Sequence, residues 1–229
     1  MTNQIQSFVL AGAHLNCSIG DIREKLSKVR LFLYDWDGVF NKGEKYGDKG
    51  SPFAEADSMG TNLLRLGYWL RNDRQMPMAG ILTGAVNQGA EYFAKRECMD
   101  VCMRGFNNKR DAWSLLLETL GLKAHEVAYM YDDVIDLPIA EQCGLRICVK
   151  RKASPAFEQY VIKNDLCDYI TAQEGGAGAV REASEFLLAV SGNYDEVVGV
   201  RSEYGEVYRS YLNERKRIET RILLAGGVK

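Results

Sequence analysis

Asp35 and Asp37 stand two residues apart, directly after the apolar run Leu31-Phe32-Leu33-Tyr34 and just before Gly38. A tight turn at the end of a buried strand can aim both carboxylates into one crevice, the place where open α/β sheets bind ligands. Three further polar groups follow apolar runs in the same way. Thr83 ends Gly80-Ile81-Leu82, and Lys109 stands where a helix begins after a third strand-like run. Asp132, Asp133 and Asp136 follow Val127–Tyr131. Each motif alone also suits an ordinary turn or helix start. Together, in order and each behind a strand, they point to a site.

The surrounding elements must hold these groups on one edge. Ile19–Lys28 predicts a short helix with Asp21 near its start, and Val29 extends the strand that leads to Asp35. Turn signals at Gly47-Asp48 and Gly50, between short β-prone pieces, predict a hairpin over Val39–Phe53. Met59, Leu63, Leu66 and Leu70 recur at helical spacing from Asp57 to Arg74, with Asp57 as the expected cap. Regular alternation follows. Strands are expected over Met78–Leu82, Asp100–Met103, Val127–Tyr131, Leu145–Val149 and Tyr169–Thr171. Helices are expected over Gln88–Arg96, Lys109–Leu120, Leu137–Cys143, Ala156–Lys163 and Ala179–Val190. Such alternation implies βαβ units and a mainly parallel, doubly wound sheet. The polar tail from Tyr194 carries Tyr204, Tyr208, Tyr211 and Ile218 at rough helical spacing. No gap between motifs is long enough for a second large domain.

Composition narrows the classes. A formal net charge of -2 with mixed signs gives no footprint for nucleic acid. No apolar run approaches the ~18 residues that span a membrane. The short run Phe8–Ala13 has no basic residues before it, so a signal peptide is not expected. Six cysteines form no C-x-x-C pair and several lie in apolar runs, which suits a reduced, cytoplasmic protein. With only His14 and His125 present, zinc and histidine-based nucleophile chemistry have little to build on.

The ordered set D-x-D-G, T-G, K and D-D-x-x-D resembles the haloacid-dehalogenase (HAD) phosphatase superfamily from about Val29 to Ala189. The resemblance implies a Rossmann-like fold with a projecting β-hairpin and no large cap. It divides the chain into an N-terminal extension (1–28), a phosphatase domain (29–192, hairpin about 39–55) and a C-terminal helical extension (193–229). It implies Asp35 as nucleophile and Asp37 as general acid and base. Asp35, Asp132 and the backbone carbonyl of Asp37 would hold Mg²⁺, and Thr83 and Lys109 would hold the phosphoryl oxygens. Asp133 and Asp136 would support the metal site or orient Lys109, and Gly84, Lys42 and Arg181 would lie on the substrate side. Asp35-Trp36-Asp37-Gly38-Val39, Tyr129–Asp136 and Gly175–Glu182 are similar to the capless 3-deoxy-D-manno-octulosonate 8-phosphate phosphatases. That family implies a phosphorylated sugar or sugar acid as substrate and a homotetramer whose hairpins pack together.

Departures from the family lie mostly on the substrate side. Ala85 follows Thr83-Gly84, Ala56 precedes Asp57-Ser58, and Ala177 stands in the glycine-rich turn, where relatives often carry arginine. Trp36 replaces a smaller apolar residue and Tyr131 replaces glycine. Lys42 and Lys150-Arg151-Lys152 are possible replacements for the lost charge, although such a run more often forms a solvated surface. A phosphoacceptor receiver domain carries similar residues in the opposite order, which excludes it. The alternative that stays open is a HAD-fold binding or assembly protein with weakened or redirected activity.

Overall fold

The computed structural model describes residues 2–46 and 50–226. Its centre is β2 (Leu31–Tyr34), whose residues alternate between two cores. Phe32 and Tyr34 face one core and Leu31 and Leu33 the other, which is why the run is apolar throughout. The remaining strands are β1 (His14–Leu15), β3 (Met78–Thr83), β4 (Val101–Arg104), β5 (Val127–Tyr131), β6 (Leu145–Lys150), β7 (Tyr169–Glu174) and β8 (Arg221–Leu224). They form one sheet in the order β1-β7-β6-β5-β2-β3-β4-β8. All pairings are parallel except that of β1 with β7.

On one face lie α1 (Asn3–Leu10), α2 (Ile19–Ser27), α3 (Glu55–Arg71), α4 (Gln88–Arg96), α8 (Ala179–Ser191), α9 (Tyr194–Glu203) and α10 (Glu206–Arg215). On the other lie α5 (Lys109–Leu120), α6 (Leu137–Ala140) and α7 (Pro155–Lys163). The chain leaves β2 toward β3 on one side, while β5 flanks β2 on the other. This places a topological switch point at the carboxyl end of β2.

Apart from the hairpin, the expected strands and helices between Ile19 and Val190 are present, most within a residue or two of their expected ends, although Val29 lies outside β2. Four features differ. The described parts of the 39–53 segment contain no strand, and Gly47 and Asp48 lie outside the described residues. The expected hairpin is there a loop whose arms meet through the Tyr46 N–H and the Gly50 carbonyl, 3.3 Å apart. Asp57 does not cap α3, because the helix starts two residues earlier, after Ala54. Asp57 is buried in the first turn and its carboxylate accepts the backbone N–H of Arg181 at 3.0 Å, tying α3 to α8. The tail contributes β8 as well as helices. Tyr208 and Tyr211 reach the core and bond Asn62 of α3, whereas Tyr204 stays exposed in a left-handed turn. Finally, α1 and β1 precede the first expected element and add an edge to the sheet.

Candidate active site

The strand register brings the polar groups together. Tyr34 pairs with Ile81 of β3 and with Met130 of β5, so Asp35, Thr83 and Asp132 leave three adjacent strands at the same edge. The Asp35 backbone N–H donates to the Met130 carbonyl at 2.9 Å, carrying the ladder one residue past β2. One carboxylate oxygen each from Asp35, Asp132 and Asp136 lies within 4.8 Å of the others, and all three residues are buried. Lys109, at the first turn of α5 and fully buried, donates to Asp35 Oδ1 at 2.5 Å and also to Asp136 Oδ1.

Three buried carboxylates meet two cations, Lys109 against Asp35 and Asp136 and Arg151 against Asp132, which leaves a deficit of positive charge. Burial first, then the neighbouring carboxylate of Asp136, pushes Asp35 up to about 6 despite Lys109. Burial and the Asp35 charge push Asp132 up to about 8, with Arg151 opposing. Burial alone would lower Lys109, but Asp35 and Asp136 outweigh it and hold the ammonium above its usual range. Closely spaced hard oxygens short of cationic charge fit a divalent metal ion, which would let the carboxylates ionise together.

Other expected residues take distinct places. Asp37 is not one of the three clustered carboxylates. Its Oδ1 accepts from Ser51 Oγ at 2.6 Å and its Oδ2 from Lys45, both in the loop that follows. Asp133 is exposed and caps the turn through Val134 N–H at 2.7 Å, while its own N–H donates to Asp136 Oδ2 at 3.2 Å. Thr83 is buried at the end of β3, and its hydroxyl oxygen accepts the Ala85 N–H at 3.3 Å. Gly84 is half-buried beside it, and Lys42 is exposed at the rim of the site. Arg181 is not brought into the cluster, because its guanidinium is engaged along α8 by Glu185 at 2.6 Å.

Several residues at the site escape the sequence reading. Tyr129 donates to Asp136 Oδ1 at 2.5 Å and accepts from Lys109 at 3.3 Å. Burial and the Asp136 charge keep its phenol protonated. Asn41 accepts the N–H of Gly38 at 3.4 Å and of Gly43 at 2.8 Å, and donates to the Trp36 carbonyl at 3.2 Å. It thereby pins the turn that presents both aspartates. Gly38 has a positive φ of 89°, and a Cβ there would run into Asp132 and Arg151. The run Lys150–Lys152 is not simply a solvated surface. Lys150 pairs with Glu158 and Lys152 with Glu174, but Arg151 donates to Asp132 Oδ2.

Two departures are absorbed by packing. Trp36 is buried among Phe40, Phe53 and Phe93, with ring centroids 5.0–6.2 Å away. Tyr131 points into the opposite core, stacks on Tyr129 and donates to the Leu166 carbonyl at 2.8 Å. The glycine-rich turn packs on the aspartate loop, and a side chain at Gly175 would meet the carbonyls of Gly38 and Asn41.

A parallel sheet with a D-x-D-G loop at its switch point, opposite a D-D-x-x-D turn and a buried lysine, defines a phosphatase of the HAD superfamily, built without a large cap. Similarity is more specific. The chain is 32% identical to the 3-deoxy-D-manno-octulosonate 8-phosphate phosphatase KdsC of Escherichia coli (strain K12), over 82% of this chain and 97% of that protein. The Salmonella typhi protein of the same name is 31% identical over the same shares. The chain belongs to this phosphatase family. No family model matches it. Among solved structures, the Moraxella catarrhalis phosphatase in complex with magnesium ion, phosphate ion and KDO superposes with a TM-score of 0.63 at 27% identity. The match covers 80% of this chain and 99% of that one. A HAD subfamily III A hydrolase from Legionella pneumophila superposes with a TM-score of 0.65 at 27% identity, over 81% and 96%.

Proposed function

We propose that this protein is a Mg²⁺-dependent phosphomonoesterase that works through an aspartyl-phosphate on a small phosphorylated sugar or sugar acid. The observation that carries the reading is the buried cluster of Asp35, Asp132 and Asp136 at the switch point, with Lys109 paired to Asp35 and Asp136. Asp35 and Asp132, with the Asp37 carbonyl, would hold the cation, which would neutralise charge on the phosphoryl oxygens. The family likeness and the metal-bound Moraxella relative support that choice of ion.

Asp35 Oδ attacks phosphorus, and the bond from phosphorus to the ester oxygen breaks. Asp37 gives its proton to that oxygen, so the sugar leaves as an alcohol. Asp37 then takes a proton from water as the water oxygen attacks the same phosphorus, releasing inorganic phosphate and restoring Asp35. Lys109 holds the charge on the phosphoryl group, and Thr83 supplies a hydroxyl at the same edge. Asp136, Tyr129 and Asp133 keep Lys109 aimed at Asp35. The open end of the sheet supports assembly into a homo-oligomer in which neighbours shield the reacting groups from bulk water. No helix among the described residues is long and apolar enough to cross a membrane.

A panel of sugar and sugar-acid phosphates assayed with Mg²⁺ tests the reading. Hydrolysis of at least one, abolished by EDTA and restored by Mg²⁺, is expected. Undiminished hydrolysis in EDTA, or none across the panel, would contradict it.

A further inference from the structure

Ala56, Ala85 and Ala177 carry no charge toward a substrate, yet one cation enters the site from another element. Arg151 follows β6, and its guanidinium lies against the aspartate loop in the space that a side chain at Gly38 would need. One of its terminal nitrogens lies 3.5 Å from where a Cβ on Gly43 would stand. One N–H group meets Asp132, its only side-chain acceptor among the described residues. Arg151 lines a cavity of about 300 Å³ with Gly38, Lys42, Lys150, Glu174 and Ala177.

The other charges facing this cavity are largely answered within the chain. Lys150 Nζ lies 3.7 Å from Glu158. Glu174 accepts the backbone N–H of Lys152 at 2.8 Å and has its ammonium at 3.4 Å. Lys42 makes no ion pair among the described residues, and Arg151 keeps most of its planar fork of donors. The cavity therefore adjoins the acidic cluster at Arg151 while presenting two cations of its own.

We propose that Arg151, assisted by Lys42, is the specificity-determining cation of this site and receives a second anionic group on the leaving moiety of the phosphate ester. This rests on the phosphatase reading and deepens it. A guanidinium fork matches a carboxylate or a phosphate through two parallel hydrogen bonds, which a lysine at the same place cannot do. Ala177 lines the same cavity, so the charge lost at 177 is returned by Arg151.

The test compares glucose 6-phosphate, 6-phosphogluconate and fructose 1,6-bisphosphate in the wild type, Arg151→Met, Arg151→Lys and Lys42→Ala. The expected result is a preference for the carboxylate or the bisphosphate over the neutral ester, measured as a ratio of kcat/KM. That ratio should fall about 10- to 100-fold in Arg151→Met, as for a lost hydrogen bond between charged groups. Arg151→Lys should recover part of it, and Lys42→Ala should lower it less. The arm that shows the preference identifies the anionic group. Equal losses on all three esters would overturn the proposal, because Arg151 would then serve only Asp132, and so would an unchanged ratio. Calorimetric binding of the same compounds with Mg²⁺ to Asp35→Asn and to Asp35→Asn/Arg151→Met needs no turnover. Binding discrimination without hydrolysis by the wild type would sink the phosphatase reading and leave this one standing. Hydrolysis with an unchanged ratio would do the reverse.

Discussion

Asp136 accepts from Lys109, from the Tyr129 hydroxyl and from the Asp133 N–H, so one buried carboxylate organises three donors around the reacting edge. The resemblance implies for Asp136 a part in supporting the metal site or orienting Lys109, and its contacts suit the second. The part of Tyr129 was not legible in the sequence. A tyrosine within a fully buried strand reads as core, and only the packing of α5 on that face brings the Lys109 ammonium to its hydroxyl. Which of Lys150, Arg151 and Lys152 turns to the site was hidden for a related reason. In a run of three bases the hydrophilicity is uniform, but successive residues leaving a strand point to opposite sides. Lys150 and Lys152 reach surface partners, while the residue between them turns to Asp132. Removing the Tyr129 hydroxyl should loosen Lys109 without changing charge. Tyr129→Phe is expected to lower kcat about 10-fold, the scale of one hydrogen bond to a charged group, while KM shifts less. Steady-state kinetics check this, and a kcat within about twofold of wild type would show that Lys109 is held well enough by Asp35 and Asp136.

The loop after β2 and the turn after β7 act as one unit. Asn41 pins the aspartate turn, Ser51 and Lys45 hold Asp37, and the glycines at 175 and 176 lie against the backbone of 38–42. The two motifs were legible separately as D-x-D-G and a glycine cluster. Their contact was not, since they are far apart in sequence. The hairpin expectation rested on turn residues and short β-prone pieces, whereas the described parts of the segment form a loop whose Phe40 and Phe53 pack with Trp36 and Phe93. Tyr46, Val86 and Tyr92 remain exposed on or near this loop. Burial of that apolar rim against other copies would shield the open site. Light scattering at micromolar concentration should return a mass several times 25.7 kDa. A monomer of full activity would remove assembly from the account.

Across the whole molecule, the alternation of strands and helices makes the sheet mainly parallel, and parallel strands bring every motif residue to one edge. The central strands of the sheet were legible, because each is a buried, mostly apolar run in the regular alternation with helices. The outer strands were not. β1 has two residues, and β8 is a half-buried run of four behind a polar tail, with little pattern to separate it from loop. Both add edges to the sheet while leaving the switch point, and Asp35 on it, unchanged. The central claim is that Asp35 is the covalent nucleophile. Enzyme in excess over a radiolabelled phosphate ester, with Mg²⁺, should be quenched in acid within the first turnover, digested and mapped by mass spectrometry. Asp37→Asn, which lacks the base for the second step, should let the intermediate accumulate. The account predicts a phosphoryl group on the peptide that contains Asp35, absent from Asp35→Asn. Turnover that delivers all label to inorganic phosphate, with none on that peptide in either the wild type or Asp37→Asn, would contradict it.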